Sequence, residues 1–120
     1  MKLPFGLNLA QRAFQKNPHR KKVTAAYIEG GTILIGSNSK KTDPMANLFG
    51  HRFNHTHAEL SVLKNVTDGS KGKLYVYREK VDGSYGKARP CEFCMKLLQS
   101  KNIRTVIYTT DMGYARERIA

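Results

Sequence analysis

Tryptophan is absent from these 120 residues, and cysteine occurs only at Cys91 and Cys94. A single pair spaced this closely cannot supply the several bridges that hold small secreted domains together. A disulfide scaffold is therefore excluded, and a metal or redox pair is the better reading. Acid is also scarce: nine Asp and Glu stand against twenty-one Lys and Arg, leaving a formal charge of +12 with His neutral. Such a field repels cations and attracts polyanions or phosphorylated small molecules, unless it serves only as a solvated basic surface. No apolar run approaches the ~20 residues of a membrane-spanning helix. The opening Met1-Lys2-Leu3-Pro4-Phe5-Gly6 lacks the apolar centre of a signal peptide. A cytoplasmic protein with no membrane partner is expected.

Ordinary globular composition is what remains, with 40% hydrophobic and 25% charged residues, and the length suits one domain over residues 1–120. Leu7, Leu9, Ala10, Ala13 and Phe14 recur at helical spacing and predict a helix over about 7–16, stopped by Asn17-Pro18. His19-Arg20-Lys21-Lys22 is a basic linker. Val23–Ile28 and Thr32–Ile35, joined through Glu29-Gly30-Gly31, predict an antiparallel hairpin. Residues 37–56 are polar and lack a strong period, as functional loops often do, although Asp43, Pro44 and Gly50 would support one short helical turn. Helices over about 57–66 and 91–100 and strands over 74–77 and 104–109 follow. Only ten residues remain after Thr110, fewer than the dozen or so a parallel crossover needs, so a strand over 114–119 must return antiparallel around Asp111-Met112-Gly113. The order is that of a layered α/β sandwich.

Chemistry concentrates in two places: His57-Ala58-Glu59, and Pro90-Cys91-Glu92-Phe93-Cys94. One imidazole, two thiols and a carboxylate are what a catalytic zinc centre with an open coordination position requires. Glu59, Val62, Leu63 and Val66 stand at i, i+3, i+4 and i+7, which puts a carboxylate on an apolar helix face; Cys91, Cys94, Met95 and Leu98 repeat the spacing. Both groups sit at strand-to-helix junctions, where helix N-termini favour thiolate over thiol. Each has a plainer reading: Thr56 and Glu59 satisfy a capping box, and the cysteines satisfy a redox pair.

His-x-Glu followed by Pro-Cys-x-x-Cys, met here by His57, Glu59, Pro90, Cys91 and Cys94, resembles the signature of the zinc nucleobase deaminases. The order of elements is also similar to that of the cytidine and deoxycytidylate deaminase superfamily over nearly the whole chain. The resemblance implies a three-layer α/β/α cytidine-deaminase-like fold with a mixed sheet of about five strands, the last antiparallel. It implies that His57, Cys91 and Cys94 ligate Zn²⁺ with one position left to water, and that Glu59 shuttles protons from that water to the base. Burial of Glu59 would suit the shuttle, since desolvation raises a carboxyl pKa toward the working range. By the same resemblance the backbone N–H of Ala58 and the side chain of Asn38 contact substrate, Asn38 having a turn role as its alternative.

Lys87 and Arg89 stand just before Pro90, where many relatives carry Ser or Thr, and could meet a phosphate or simply face solvent. Phe49 and Phe53 could stack on a base or bury the long loop. His55 could close the zinc as a fourth ligand and silence it. Free-cytidine enzymes usually carry Cys where His57 stands, which leans the comparison toward deoxycytidylate and polynucleotide deaminases; the antiparallel last strand leans back toward free-nucleotide enzymes. The leading expectation is a zinc-dependent hydrolase converting cytosine to uracil in dCMP or CMP, a small-molecule cytosine nucleotide, without nucleotide-triphosphate control. The alternatives are deamination of C or A in single-stranded DNA or RNA, and an inactive zinc module that binds nucleic acid or protein. The resemblance further implies a homo-oligomer.

Overall fold

A computed structural model describes residues 3–15, 23–37, 58–80 and 82–119. Helix α1 spans Phe5–Gln15, strands β1 and β2 Val23–Glu29 and Thr32–Ser37, and helix α2 Ala58–Leu63. Strand β3 (Lys73–Arg78), helix α3 (Glu92–Ser100) and strands β4 (Thr105–Thr110) and β5 (Gly113–Arg118) complete the order. The five strands form one sheet in the order β2-β1-β3-β4-β5.

The mixed sheet and its layers match the expected architecture. β1 pairs antiparallel with β2 and β3, β3 pairs parallel with β4, and β5 returns antiparallel on β4. Thr110 opposes Gly113, so Asp111-Met112 is the whole turn. Gly113 has φ 135 and Gly30, in the other hairpin turn, φ 57, conformations that side chains with a Cβ seldom adopt. On one face α1 contributes Leu7 and Ala10 to a cluster with Leu3, Ala26, Tyr77 and Ile107. On the other, α2 and α3 bring Val62, Leu63, Leu97 and Leu98 against Ala25, Leu74, Val76 and Val106. Alternate residues of β1, β3 and β4 thus enter different cores, which is why these strands read as continuous apolar runs.

Several bounds differ from the sequence expectation for identifiable reasons. α1 begins two residues earlier, because the Pro4 carbonyl accepts the Asn8 N–H at 3.0 Å and the Asn8 amide bonds the Leu3 carbonyl at 3.2 Å. α2 stops at Leu63 rather than near Val66, since Asn65 and Val66 donate to Val62 and Leu63 in tighter three-residue turns. Val66 stays buried through that turn. The inward face of α3 is Phe93, Cys94, Leu97 and Leu98. Cys91 and Met95, placed on that face by spacing, are only half-buried. The linker 16–22 and the loop 38–57, with its proposed helical turn at 43–50, lie outside the described residues. Among the described residues no helix is long and apolar enough to cross a membrane.

Candidate active site

Strand directions place the two chemical segments at one end of the sheet. β2 and β3 both run antiparallel to β1, and β4 runs parallel to β3, so β2, β3 and β4 end on the same side. α2 follows β2 and α3 follows β3, so both helices begin at that side and pack on each other. In open α/β folds this is where ligands are held. Gly36 in β2 sets the approach of α2: a Cβ there would lie 2.8 Å from Ser61 Oγ and 2.8 Å from Val62 Cγ2.

Glu59 is only 4% exposed although it carries a carboxylate, and Ala58 beside it is fully buried. Cys94 is fully buried one turn into α3, while Cys91 caps that helix with extended backbone and does not use its side chain as the cap. The Cys94 thiol is hydrogen-bonded with the Cys91 thiol and with the Glu59 carboxylate. Two segments more than thirty residues apart thereby close into one site. The Cys91 hydrogen bond, then burial, then the charge of Glu59 push the Cys94 thiol well above its ordinary value. Burial and the Cys91 and Glu59 neighbours thus oppose, at Cys94, the pull of the helix end toward thiolate.

The two thiols suit a divalent cation by their chemistry: Cys94 is buried and Cys91 half-buried near the buried Glu59 carboxylate, and a bound cation is the ordinary way to make groups that become anionic on deprotonation favourable there. Among the described residues no three His, Cys, Asp or Glu side chains form a metal-holding group. His57, the expected third ligand, lies outside the described residues, as do His55, Thr56, Asn38, Phe49 and Phe53.

The approach to Cys91 is fixed by a residue that sequence reading passed over as a strand end. Thr109 is fully buried; its hydroxyl donates to the Gly86 carbonyl at 2.7 Å and accepts the Arg78 N–H at 3.1 Å. Its backbone carbonyl accepts the Ala88 N–H at 2.9 Å. Loop 86–90 is tied to β3 and β4 just before the first cysteine. Thr109 lies more than twenty residues downstream of Gly86, and the sole hint in the sequence was a hydroxyl in an apolar strand.

Arg89 is held by Glu117 of β5 through two parallel bonds of 2.9 Å, and Tyr108 donates to the same carboxylate at 3.0 Å. The Arg89 hydrogen bonds hold the Glu117 carboxyl below its ordinary value, and burial together with Glu117 raises the Tyr108 phenol. The guanidinium sits half in solvent, two residues before Cys91, with its carboxylate partner on the return strand. Lys87 is exposed.

Comparison with known proteins agrees with this geometry. A scan against protein-family models and a search of curated proteins return no match. Among solved structures, the chain superposes on a cytidine deaminase from Burkholderia pseudomallei with TM-score 0.68, over 99% of this chain and 94% of that one, at 18% identity. A cytidine deaminase from Mycobacterium leprae gives TM-score 0.51 over 92% of this chain and 88% of that one, at 19% identity. The fold is that of the cytidine deaminases. At such low identity the cytidine-deaminase fold is what the likeness establishes, and the chemistry rests on this chain's own residues.

Proposed function

We propose that the protein is a zinc-dependent hydrolytic deaminase that converts cytosine to uracil in a free nucleotide, dCMP or CMP, releasing ammonia. The observation that carries this reading is a buried carboxylate, Glu59, that interacts with the Cys94 thiol, itself beside Cys91, at the helix starts of a cytidine-deaminase fold. Cys91 and Cys94, with His57, would hold Zn²⁺, whose Lewis acidity makes a water nucleophilic near neutral pH. Glu59 takes the proton that this water gives up and delivers it to the ring nitrogen as the C4 centre is attacked. It then carries the second water proton to the exocyclic amine, which leaves as ammonia. The enclosing Ala58, Val62 and Leu63 keep bulk water away from the carboxylate while it changes charge. Thr109 acts on position rather than on substrate, by fixing the loop that delivers Cys91.

Arg89 and Lys87 support a phosphate at the mouth of the site, with Glu117 orienting the guanidinium, and Asn38, Phe53 and the Ala58 N–H complete the substrate contacts. The antiparallel β5 favours a free nucleotide by its likeness to free-nucleotide deaminases. The charge of +12 favours the second reading, deamination within a single strand. Mass-spectrometric assay of the zinc-loaded protein against cytidine, deoxycytidine, CMP, dCMP, adenosine, single-stranded DNA and tRNA separates them. Turnover of dCMP or CMP above all others is expected; turnover only of a strand establishes the second reading, and turnover of none removes both. Sites completed by a homo-oligomer belong to the same proposal, and sedimentation of the holoprotein tests them.

A further inference from the structure

The end of the sheet opposite Glu59 and the cysteines is cationic. A groove of about 500 Å³ is lined there by Lys71, Lys73, Arg104, Arg116 and Arg118, together with Thr105. A second hollow of about 360 Å³ shares Arg104 and Arg118 with it, so the depression continues past that pair. Lys73 opens β3, Thr105 opens β4 and Arg118 closes β5, which puts the groove one strand length, about 20 Å, from the strand ends that carry the candidate active site.

The groove is extended along β5 by sheet geometry. Tyr114, Arg116 and Arg118 alternate on one face of this edge strand, opposite Thr109, Ile107 and Thr105 of β4, and all three are exposed, Tyr114 at 42%. That is the α1 face of the sheet, but α1 packs chiefly on β1 and β3. The intervening acid, Glu117, points to the other face and is taken by Arg89. Among the described residues none of Lys73, Arg104, Arg116 and Arg118 takes part in an ion pair. Two acids stand near this end: Asp68, which interacts with Lys71 while bonding Ser70 and Asn102, and Glu29, which accepts from Tyr27 beside Gly72. Four cations with no ion-pair partner among the described residues are screened by water, and a polyanion would relieve their repulsion.

We propose that this groove and the α1-side face of β5 bind the phosphate backbone of a single-stranded nucleic acid, through residues distinct from those of the candidate active site. A two-residue step along β5 is about 6.8 Å, comparable to the spacing of successive phosphates in an extended strand, so Arg116 and Arg118 meet neighbouring phosphates. Lys73 and Arg104 continue the track across the groove, and Tyr114 offers an exposed ring at its far end on which a base stacks. A single small phosphate would use one or two of these cations; only a chain of phosphates matches a row of them with an aromatic at its end.

The inference does not depend on the reaction assigned to Glu59, and fluorescence anisotropy of the zinc-loaded protein with a labelled oligo-dT of about 15 nucleotides tests it. Each phosphate contact contributes about 0.7 to the slope of log affinity against log salt on a single strand. The variant R104Q/R116Q/R118Q is therefore expected to lower that slope by about 2 and affinity at moderate salt at least tenfold. R12Q/K64Q/K96Q, which removes the same charge from exposed helix and turn positions, is expected to change affinity less than threefold. Arg116→Lys with Arg118→Lys keeps the charge and should keep the slope, which guards against a variant that merely unfolds. Tyr114→Ala should weaken binding with no change of slope, and Tyr114→Phe should retain it. Equal losses in the two triple variants would mean a diffuse field and overturn the groove, as would no loss in either. Competition by inorganic phosphate at the same phosphate concentration, or binding of poly-glutamate as tight as that of oligo-dT, would overturn the strand assignment.

Discussion

The two ends of the sheet handle charge in opposite ways. At the end where β2, β3 and β4 finish, a carboxylate and one thiol are taken out of water, with a second, half-buried thiol beside them. At the end where β3 and β4 begin, five cations are spread along an open groove and left in water. Burial makes the first cluster costly unless something positive joins it, whereas exposure makes the second tolerable and ready for exchange. A buried cluster specifies one ligand with fixed geometry; an exposed row accepts a long, variable one. The contrast comes from placement, since the chain supplies acids sparingly and spends one of nine on a position 4% exposed.

The strongest way to break this contrast is to disable one end. Glu59→Gln is expected to lower turnover by about 10²–10⁴-fold, the range of lost general acid–base catalysis, while metal analysis still finds zinc and oligonucleotide affinity is unchanged. Cys94→Ser should remove zinc, measured by elemental mass spectrometry, and lower the melting temperature relative to the loaded protein; chelation of the unmodified protein should do the same. Because both thiols must lose protons to bind metal, zinc uptake should release protons and strengthen as pH rises, read by calorimetry in buffers of different ionisation enthalpy.

Smaller effects sharpen the picture. Thr109→Val strands the Gly86 carbonyl and the Arg78 N–H, and a loss of about 1–3 kcal/mol in chemical denaturation is expected, with a larger proportional fall in turnover than in stability if loop 86–90 positions Cys91. Glu117→Gln should cost less than about 1 kcal/mol, as for an ion pair at the surface. The sign is fixed by the lowered carboxyl pKa: the Glu117 contribution is present above the unfolded value of 4.5 and is lost as pH falls through the lower folded value. Denaturation at neutral pH and again well below 4.5 should therefore show a difference between wild type and Glu117→Gln only in the first case.

Much of the fold was legible from the chain. Each described strand lies within one or two residues of its expected span, because β-branched runs between Gly-rich turns leave few alternatives. The antiparallel return of β5 on β4 agrees with the expected antiparallel last strand. Glu59 and Cys94 read correctly as inward, since a polar residue in an apolar helical stripe has nowhere else to go. The face of α3 read less well: spacing alone could not choose between the stripe with Cys91 and Met95 and the one with Phe93 and Leu97, and packing against the sheet chose the latter. The Arg89–Glu117 pair and the Thr109 anchor were invisible, because each joins residues more than twenty positions apart whose sequence neighbours carry no trace of the other.

What the sequence determined by itself is which reactive side chains stand at which local spacing, and the excess of positive charge. One His-x-Glu and one Pro-Cys-x-x-Cys are local patterns whose meaning lies in side-chain types and helical spacing. The tertiary structure alone decided where those charges stand. Sheet topology brings the starts of α2 and α3 to one end and the cations of β3, β4 and β5 to the other. Strand direction and face are properties of pairing, and no single segment contains them.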